Sequence, residues 1–155
     1  MTHPTSSSPF EKHPAFNEED HRQFRVWNPV TREVLEKKHR ALLPEWLVKG
    51  KRVLDLGSCL GATGQWCLHY GALSYTGVET QPEYAEASKN FLSHWEDRAV
   101  IVEAPIVDFL KKNVEKFDIV CMFGVLYAFV DYYRILSMAS EASNEYVLIE
   151  TLYPT

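Results

Sequence analysis

The stretch that decides the fold is Arg52 to Glu79, RVLDLGSCLGATGQWCLHYGALSYTGVE. Val53, Leu54 and Leu56 form a continuous apolar run, the pattern of a strand covered on both faces of a parallel sheet. Gly57, Gly61 and Gly64 space the turn that follows, Ala62 to Tyr70 reads as a helix, and a second apolar run from Tyr75 to Val78 ends on the carboxylate of Glu79. Strand, glycine turn, helix and strand make one crossover unit, which packs back onto its sheet with a right-handed sense.

Outward from this unit the alternation repeats. Apolar runs at Ala99 to Val102, Ile119 to Met122 and Tyr146 to Ile149 are separated by helix-like segments at Pro82 to Trp95, Ile106 to Val114 and Asp131 to Ala142. The pattern predicts an α/β fold, a doubly wound and mainly parallel sheet with helices on both faces, the text stopping after the fifth strand. Residues 1–16 are rich in Pro, Ser, Thr and His and read as a disordered tail. Residues 17–48 read as a helical lid: Asn17 precedes three acids, and Asn28-Pro29 opens a second helix that runs to Pro44. Phe24, Val26 and Trp27 are expected to turn inward over a cleft, and Lys37 to Arg40 to form a solvated basic face. Residues 49–155 are the expected ligand-binding core.

The chain has 155 residues, 46% of them hydrophobic, enough for one core. Its formal charge of -5, with Lys and Arg scattered, argues against a dedicated nucleic-acid binder, which needs cations to neutralise phosphates. The polar start and the absence of any apolar run of membrane length argue for a cytoplasmic protein without membrane contact. Cys59, Cys67 and Cys121 form no CxxC pair and read as buried free thiols of a reducing compartment. Cys59 and Cys67 with His69 lack a sensibly spaced fourth ligand, so no metal is expected.

In an open parallel sheet, ligands bind beyond the carboxyl ends of the strands, and the first strand-helix turn is the usual floor of the crevice. Glu79, closing the next strand, can accept both hydroxyls of a ribose. Asp55 repels a pyrophosphate but suits a cationic or zwitterionic ligand. S-adenosylmethionine, with a sulfonium, an amino group and a ribose but no phosphate, is the common cofactor of that description. A dinucleotide-dependent oxidoreductase is accordingly disfavoured.

VLDLGSCLGATG, YTGVE, FDIVCMFGVLYAF and EYVLIETL resemble, in order and spacing, the motifs of the class I, Rossmann-like methyltransferases that use S-adenosylmethionine. The resemblance covers about Arg52 to Leu152 and implies that Asp55, Gly57, Ser58 and Gly61 wrap the methionine part of the cofactor. It implies that Glu79 holds the ribose with Thr80 beside the adenine, and that Ile106 and Phe123 complete the cofactor contacts. Two departures stand out: Cys59 replaces the middle glycine of the family's loop, and Pro105 stands where an acid often meets the adenine. FGVLYAF lacks the Asp/Asn-Pro-Pro-aromatic signature of enzymes that methylate nucleic-acid amines. It is closer to methyltransferases of small molecules and of wobble uridine in tRNA, in which a histidine commonly follows the tyrosine. Here that position is Ala128, which leaves Tyr127 as the polar candidate for catalysis.

The activity expected from the resemblance is methyl transfer to a small-molecule acceptor, achieved mainly by positioning. The alternatives are a degenerate domain that binds the cofactor and regulates or scaffolds a partner, and a relative of the tRNA-modifying methyltransferases. The family usually continues past the fifth strand, so Tyr146 to Thr151 is expected to form an edge open to self-association.

Overall fold

The computed structural model describes residues 8–16, 31–113 and 115–151. Five strands form one sheet: β1 (Arg52–Leu56), β2 (Ser74–Glu79), β3 (Ala99–Glu103), β4 (Phe117–Phe123) and β5 (Ser143–Glu150). Their order is β3-β2-β1-β4-β5, and all four pairings are parallel. The order reverses beside β1, which pairs β2 on one side through Asp55 opposite Gly77 and β4 on the other through Asp55 opposite Cys121. Asp55 therefore stands at the switch point where sheets of this type open a crevice.

Helices cover both faces. α2 (Glu45–Val48), α3 (Ala62–His69) and α4 (Pro82–Leu92) share one apolar cluster, in which Leu47, Val48, Trp66, Leu68 and Leu92 close over Val53, Tyr75 and Ile119. α5 (Ile106–Lys112) and α6 (Tyr132–Ala142) share the other, with Ile106, Leu110, Ile135 and Ala139 against Leu54, Leu56, Val120 and Met122. Alternate β1 residues face opposite clusters, which is why its sequence reads as an unbroken apolar run. α1 (Arg32–Leu42) lies before the sheet and is tied down at its end: the Trp66 indole donates to the Leu43 carbonyl at 2.8 Å.

Three expectations need correction. The α1 cap is Thr31, whose hydroxyl accepts from the Val34 N–H at 3.3 Å, and not Asn28, which with Phe24, Val26 and Trp27 lies outside the described residues. Ser8–Phe16 are no loose tail, because Phe10 is fully buried against the Trp66 ring, 5.8 Å between centroids, and His13 packs edge-on to Phe91. One aromatic anchor in a slot between His39 and Trp66 outweighs a polar composition. Finally, Lys37–Arg40 is no uniform solvated face: His39 is buried, and Lys38 reaches the end of β5. Among the described residues, no helix is long and apolar enough to cross a membrane.

Candidate functional site

β1 ends in a turn that only unusual backbone can make. Gly57 and Gly61 have φ of 86° and 81°, and Cys59 between them has φ 48°, a left-handed conformation that costs a residue with a side chain about 1 kcal/mol or more. Cys59 is an exposed residue, although burial and the Glu79 carboxylate push its thiol up to about 11, and only Cys67 and Cys121 are the fully buried thiols expected. Gly61 leads directly into α3.

The glycines serve packing within the chain. A Cβ on Gly61 would stand 2.5 Å from the Ser88 hydroxyl and 3.1 Å from Leu92, both on α4, and one on Gly57 would stand 3.1 Å from Val125. The missing side chain of Gly61 thus admits α4, whereas the resemblance assigned the space to cofactor. Gly64 lies inside α3 with the Tyr75 ring where a Cβ would be, which lets the helix sit close on β2. Gly77 in β2 makes the same allowance for Ser58, whose side chain is buried there with its hydroxyl unpartnered among the described residues.

Glu79 closes β2 and binds the turn from below. Its carboxylate accepts the Cys59 N–H at 2.9 Å, the Thr80 N–H at 2.8 Å and the Gln81 N–H at 2.9 Å. These three bonds fill most of the roughly four acceptor positions of a carboxylate, leaving one. Capture of two ribose hydroxyls would therefore displace a backbone bond, and the one to Cys59 belongs to the strained turn.

Asp55 faces inward. It is 2% exposed, accepts the Tyr75 hydroxyl at 2.8 Å, and bonds Thr63. Burial pushes its carboxyl up to about 6 despite these bonds and the nearby Lys38 charge, with Glu79 adding to the rise. Burial likewise raises the Tyr75 phenol far above its ordinary value, which keeps it protonated as the donor. Thr63 also meets His39, 3.4 Å from hydroxyl to Nε2, and burial lowers that imidazole to about 4. Asp55 accordingly holds the floor of the turn by its hydrogen bonds and reaches a ligand through its field more than by contact.

The remaining candidates spread around the strand ends. Thr80 is exposed just beyond β2, Ile106 is buried at the start of α5, and Phe123 is half-buried at the end of β4. Tyr127, in a short 3-10 turn after β4, is 62% exposed, so most of its ring is open to whatever approaches from outside. Sequence reasoning missed Lys38 and Glu150. Their side chains meet at 3.0 Å over the ends of β4 and β5, although 112 residues separate them. No group of three or more His, Cys, Asp or Glu side chains fit to hold a metal occurs among the described residues.

A cavity of about 910 Å³ lies away from these groups, between Ser8–Pro14 and α4, lined in part by Gln65, His69, Glu83, Glu86 and Asn90. Its position along the flank of two helices, off the strand ends, places it apart from the crevice that the topology dictates.

Solved structures share the fold at low identity. A Pyrococcus horikoshii protein described as a candidate RNA methyltransferase is 21% identical, with a TM-score of 0.60 over 74% of this chain and 57% of that one. An S-adenosylmethionine-dependent methyltransferase of Mesorhizobium loti is 20% identical, with a TM-score of 0.57 over 70% of this chain and 48% of that one. The N-terminal domain of EvdMO1, determined with S-adenosylhomocysteine bound, is 22% identical, with a TM-score of 0.57 over 74% and 47%. The chain spans about half the length of these proteins. No curated protein matches it. A family model described as a methyltransferase domain matches residues 21–155, and with the parallel sheet and the glycine turn this establishes that the chain belongs to that methyltransferase family.

Proposed function

We propose that the chain is a methyltransferase that binds S-adenosylmethionine across the carboxyl ends of β1, β2 and β4 and passes its methyl group to a small-molecule acceptor. The observation that carries this reading is the left-handed turn Gly57–Gly61 bonded to Glu79, a carboxylate at the carboxyl end of β2 that keeps an acceptor position for a ribose hydroxyl. Family membership supports the activity in general, and the fold neighbours support the cofactor.

Bound, the cofactor supplies an electrophilic methyl on a sulfonium. The chain's part is placement. Glu79 fixes the turn and offers its remaining acceptor position to the ribose edge, while Asp55, buried and bonded to Tyr75, contributes negative field beneath a cationic ligand. Aligning two reacting groups can account for about 7 to 11 kcal/mol of a barrier, so methyl transfer does not demand a proton-transferring side chain.

The acceptor side is supported as small and partly apolar. Tyr127, Val130 and Tyr133 are exposed beyond β4, and the Tyr132 and Tyr133 rings stack with centroids 4.6 Å apart. The net charge of -5 offers no electrostatic attraction to a polyphosphate acceptor. Tyr127 is the hydroxyl best placed to touch the acceptor, and its replacement by Phe is expected to affect acceptor KM before kcat.

Two measurements test the reading. Calorimetry is expected to detect S-adenosylmethionine and no NAD, and the reverse preference would overturn it. Incubation with methyl-labelled cofactor and fractionated extract is expected to label a compound of low molecular mass. Label appearing only in RNA or protein would reassign the acceptor, and cofactor binding without labelled product would favour the regulatory alternative.

A further inference from the structure

Four ion pairs occur among the described residues. Lys37 and Glu33 lie along the outer face of α1, while Lys51–Glu145 and Arg52–Glu115 join residues at the amino ends of strands. Lys38–Glu150 alone stands at the carboxyl ends, where the ligand crevice opens. Glu150 is the last residue of β5, opposite Phe123 in register, and its carbonyl accepts the Gly124 N–H at 2.8 Å. The Lys38 ammonium lies 3.0 Å from the Glu150 carboxylate and 5.7 Å from the centre of the Phe123 ring, and its charge is felt at Asp55. Both side chains are slightly more than one-third exposed. Such a pair contributes little to stability, and opening it costs little.

Resting on the function proposed above, we infer that Lys38 and Glu150 form the subsite for the α-amino-acid end of the cofactor, the lysine taking its carboxylate and the glutamate its ammonium. A zwitterion inserted between the two side chains replaces one ion pair by two, and so exchanges charge partners without burying a net charge. The arrangement also explains why Asp55 need not touch the amino group: an accessible carboxylate stands on the neighbouring side of β4. Gly124, with φ 66°, makes the left-handed turn that brings the chain after β4 beside Glu150, its Cα side lying within ordinary contact distance of that carboxylate. Lys38 and Glu150 are positioning residues, because they hold the methionyl end and touch no reacting atom.

The test uses two ligands that differ only in this end. S-adenosylhomocysteine carries the amino-acid group, and 5′-methylthioadenosine keeps the adenosine and thioether but lacks it. In calorimetry of the full chain, Lys38→Met and Glu150→Gln are each expected to weaken S-adenosylhomocysteine by about tenfold or more, as loss of one charge-assisted contact does, and to leave 5′-methylthioadenosine unchanged. The exchange Lys38→Glu with Glu150→Lys restores an ion pair with reversed polarity. It is expected to recover the wild-type melting temperature but not the affinity for S-adenosylhomocysteine, because the cofactor's tethered end cannot turn round. Equal weakening of both ligands, or of neither, would overturn the inference and leave the proposed function standing. A wild-type chain that binds neither ligand would overturn the function itself.

Discussion

Two glutamates close strands on opposite sides of β1, and they are built differently. Glu79 is 6% exposed and takes three backbone N–H bonds, so its carboxylate is part of the turn. Glu150 is over one-third exposed and holds one lysine. The first half of the crevice is thus fixed before any ligand arrives, whereas the second half consists of charges that can change partners. Fixed groups give orientation at no cost on binding, and adjustable ones admit and release. On the function proposed above, this division would let the chain hold an adenosine in one place and release a spent cofactor.

The strongest way to break the comparison is to damage the fixed half. Gly61→Val places a branched side chain at φ 81° with its Cβ against Ser88 and Leu92, and strain plus overpacking are expected to cost about 4 kcal/mol. A large fall in melting temperature and loss of cofactor binding should appear together, while a variant of normal stability would refute the packing role of Gly61. Glu79→Ala comes next. It strands the Cys59, Thr80 and Gln81 donors, so a loss of about 2 kcal/mol in stability should accompany a ten- to hundredfold loss in affinity. Loss of affinity at wild-type stability would mean that the turn holds its shape without the carboxylate.

The buried charges sharpen the comparison through pH. The Asp55 carboxyl is raised from 3.8 to about 6 by folding, so the native state takes up its proton first, and stability from this group falls as pH rises from about 4 to 6. Asp55→Asn removes that penalty and is expected to stabilise the chain at pH 7 to 8, by up to about 3 kcal/mol, with the advantage gone near pH 4. His13 and His39 act with the opposite sign. Burial lowers both from 6.5 to about 4, so the unfolded chain takes up their protons first and stability falls as pH drops from about 6.5 to 4. With two imidazoles against one carboxyl, acid should destabilise the chain on balance, and more steeply in Asp55→Asn. Urea midpoints at several pH values would show it, and an unaltered slope in the variant would deny Asp55 its raised pKa.

The smallest effect is expected at Cys59→Gly, which removes a side chain from φ 48°. Relief of strain should stabilise the turn by about 1 kcal/mol, partly offset by a freer unfolded chain, with cofactor affinity unchanged. Loss of binding in that variant would reveal a use for the thiol.

What could be read from sequence follows from the range of the interactions involved. β1, the glycine turn and β2 are consecutive, so apolar runs and glycine spacing displayed them directly, including the strand-closing position of Glu79. The order of the glycines did not reveal what each one faces: Ser88 and Leu92 belong to another helix, and only packing brings them to Gly61. Lys38 and Glu150 stayed hidden because they lie 112 residues apart, and a lysine within a basic run looks solvated until a strand end is placed beside it. Phe10 was lost among polar neighbours for a similar reason, since its slot is formed by His39 and Trp66 from two separate helices.

The central claim is that the ligand lies on the turn after β1 and against Glu79, and not in the cavity of about 910 Å³ beside α4. Hydrogen exchange of the full chain with and without S-adenosylhomocysteine decides between the two. The account expects new protection at Ser58–Gly61, at Thr80 and Gln81 and around Gly124, with little change from Glu86 to His94. Protection confined to Glu86–His94 and Ser8–Pro14, with the turn exchanging as before, would contradict it.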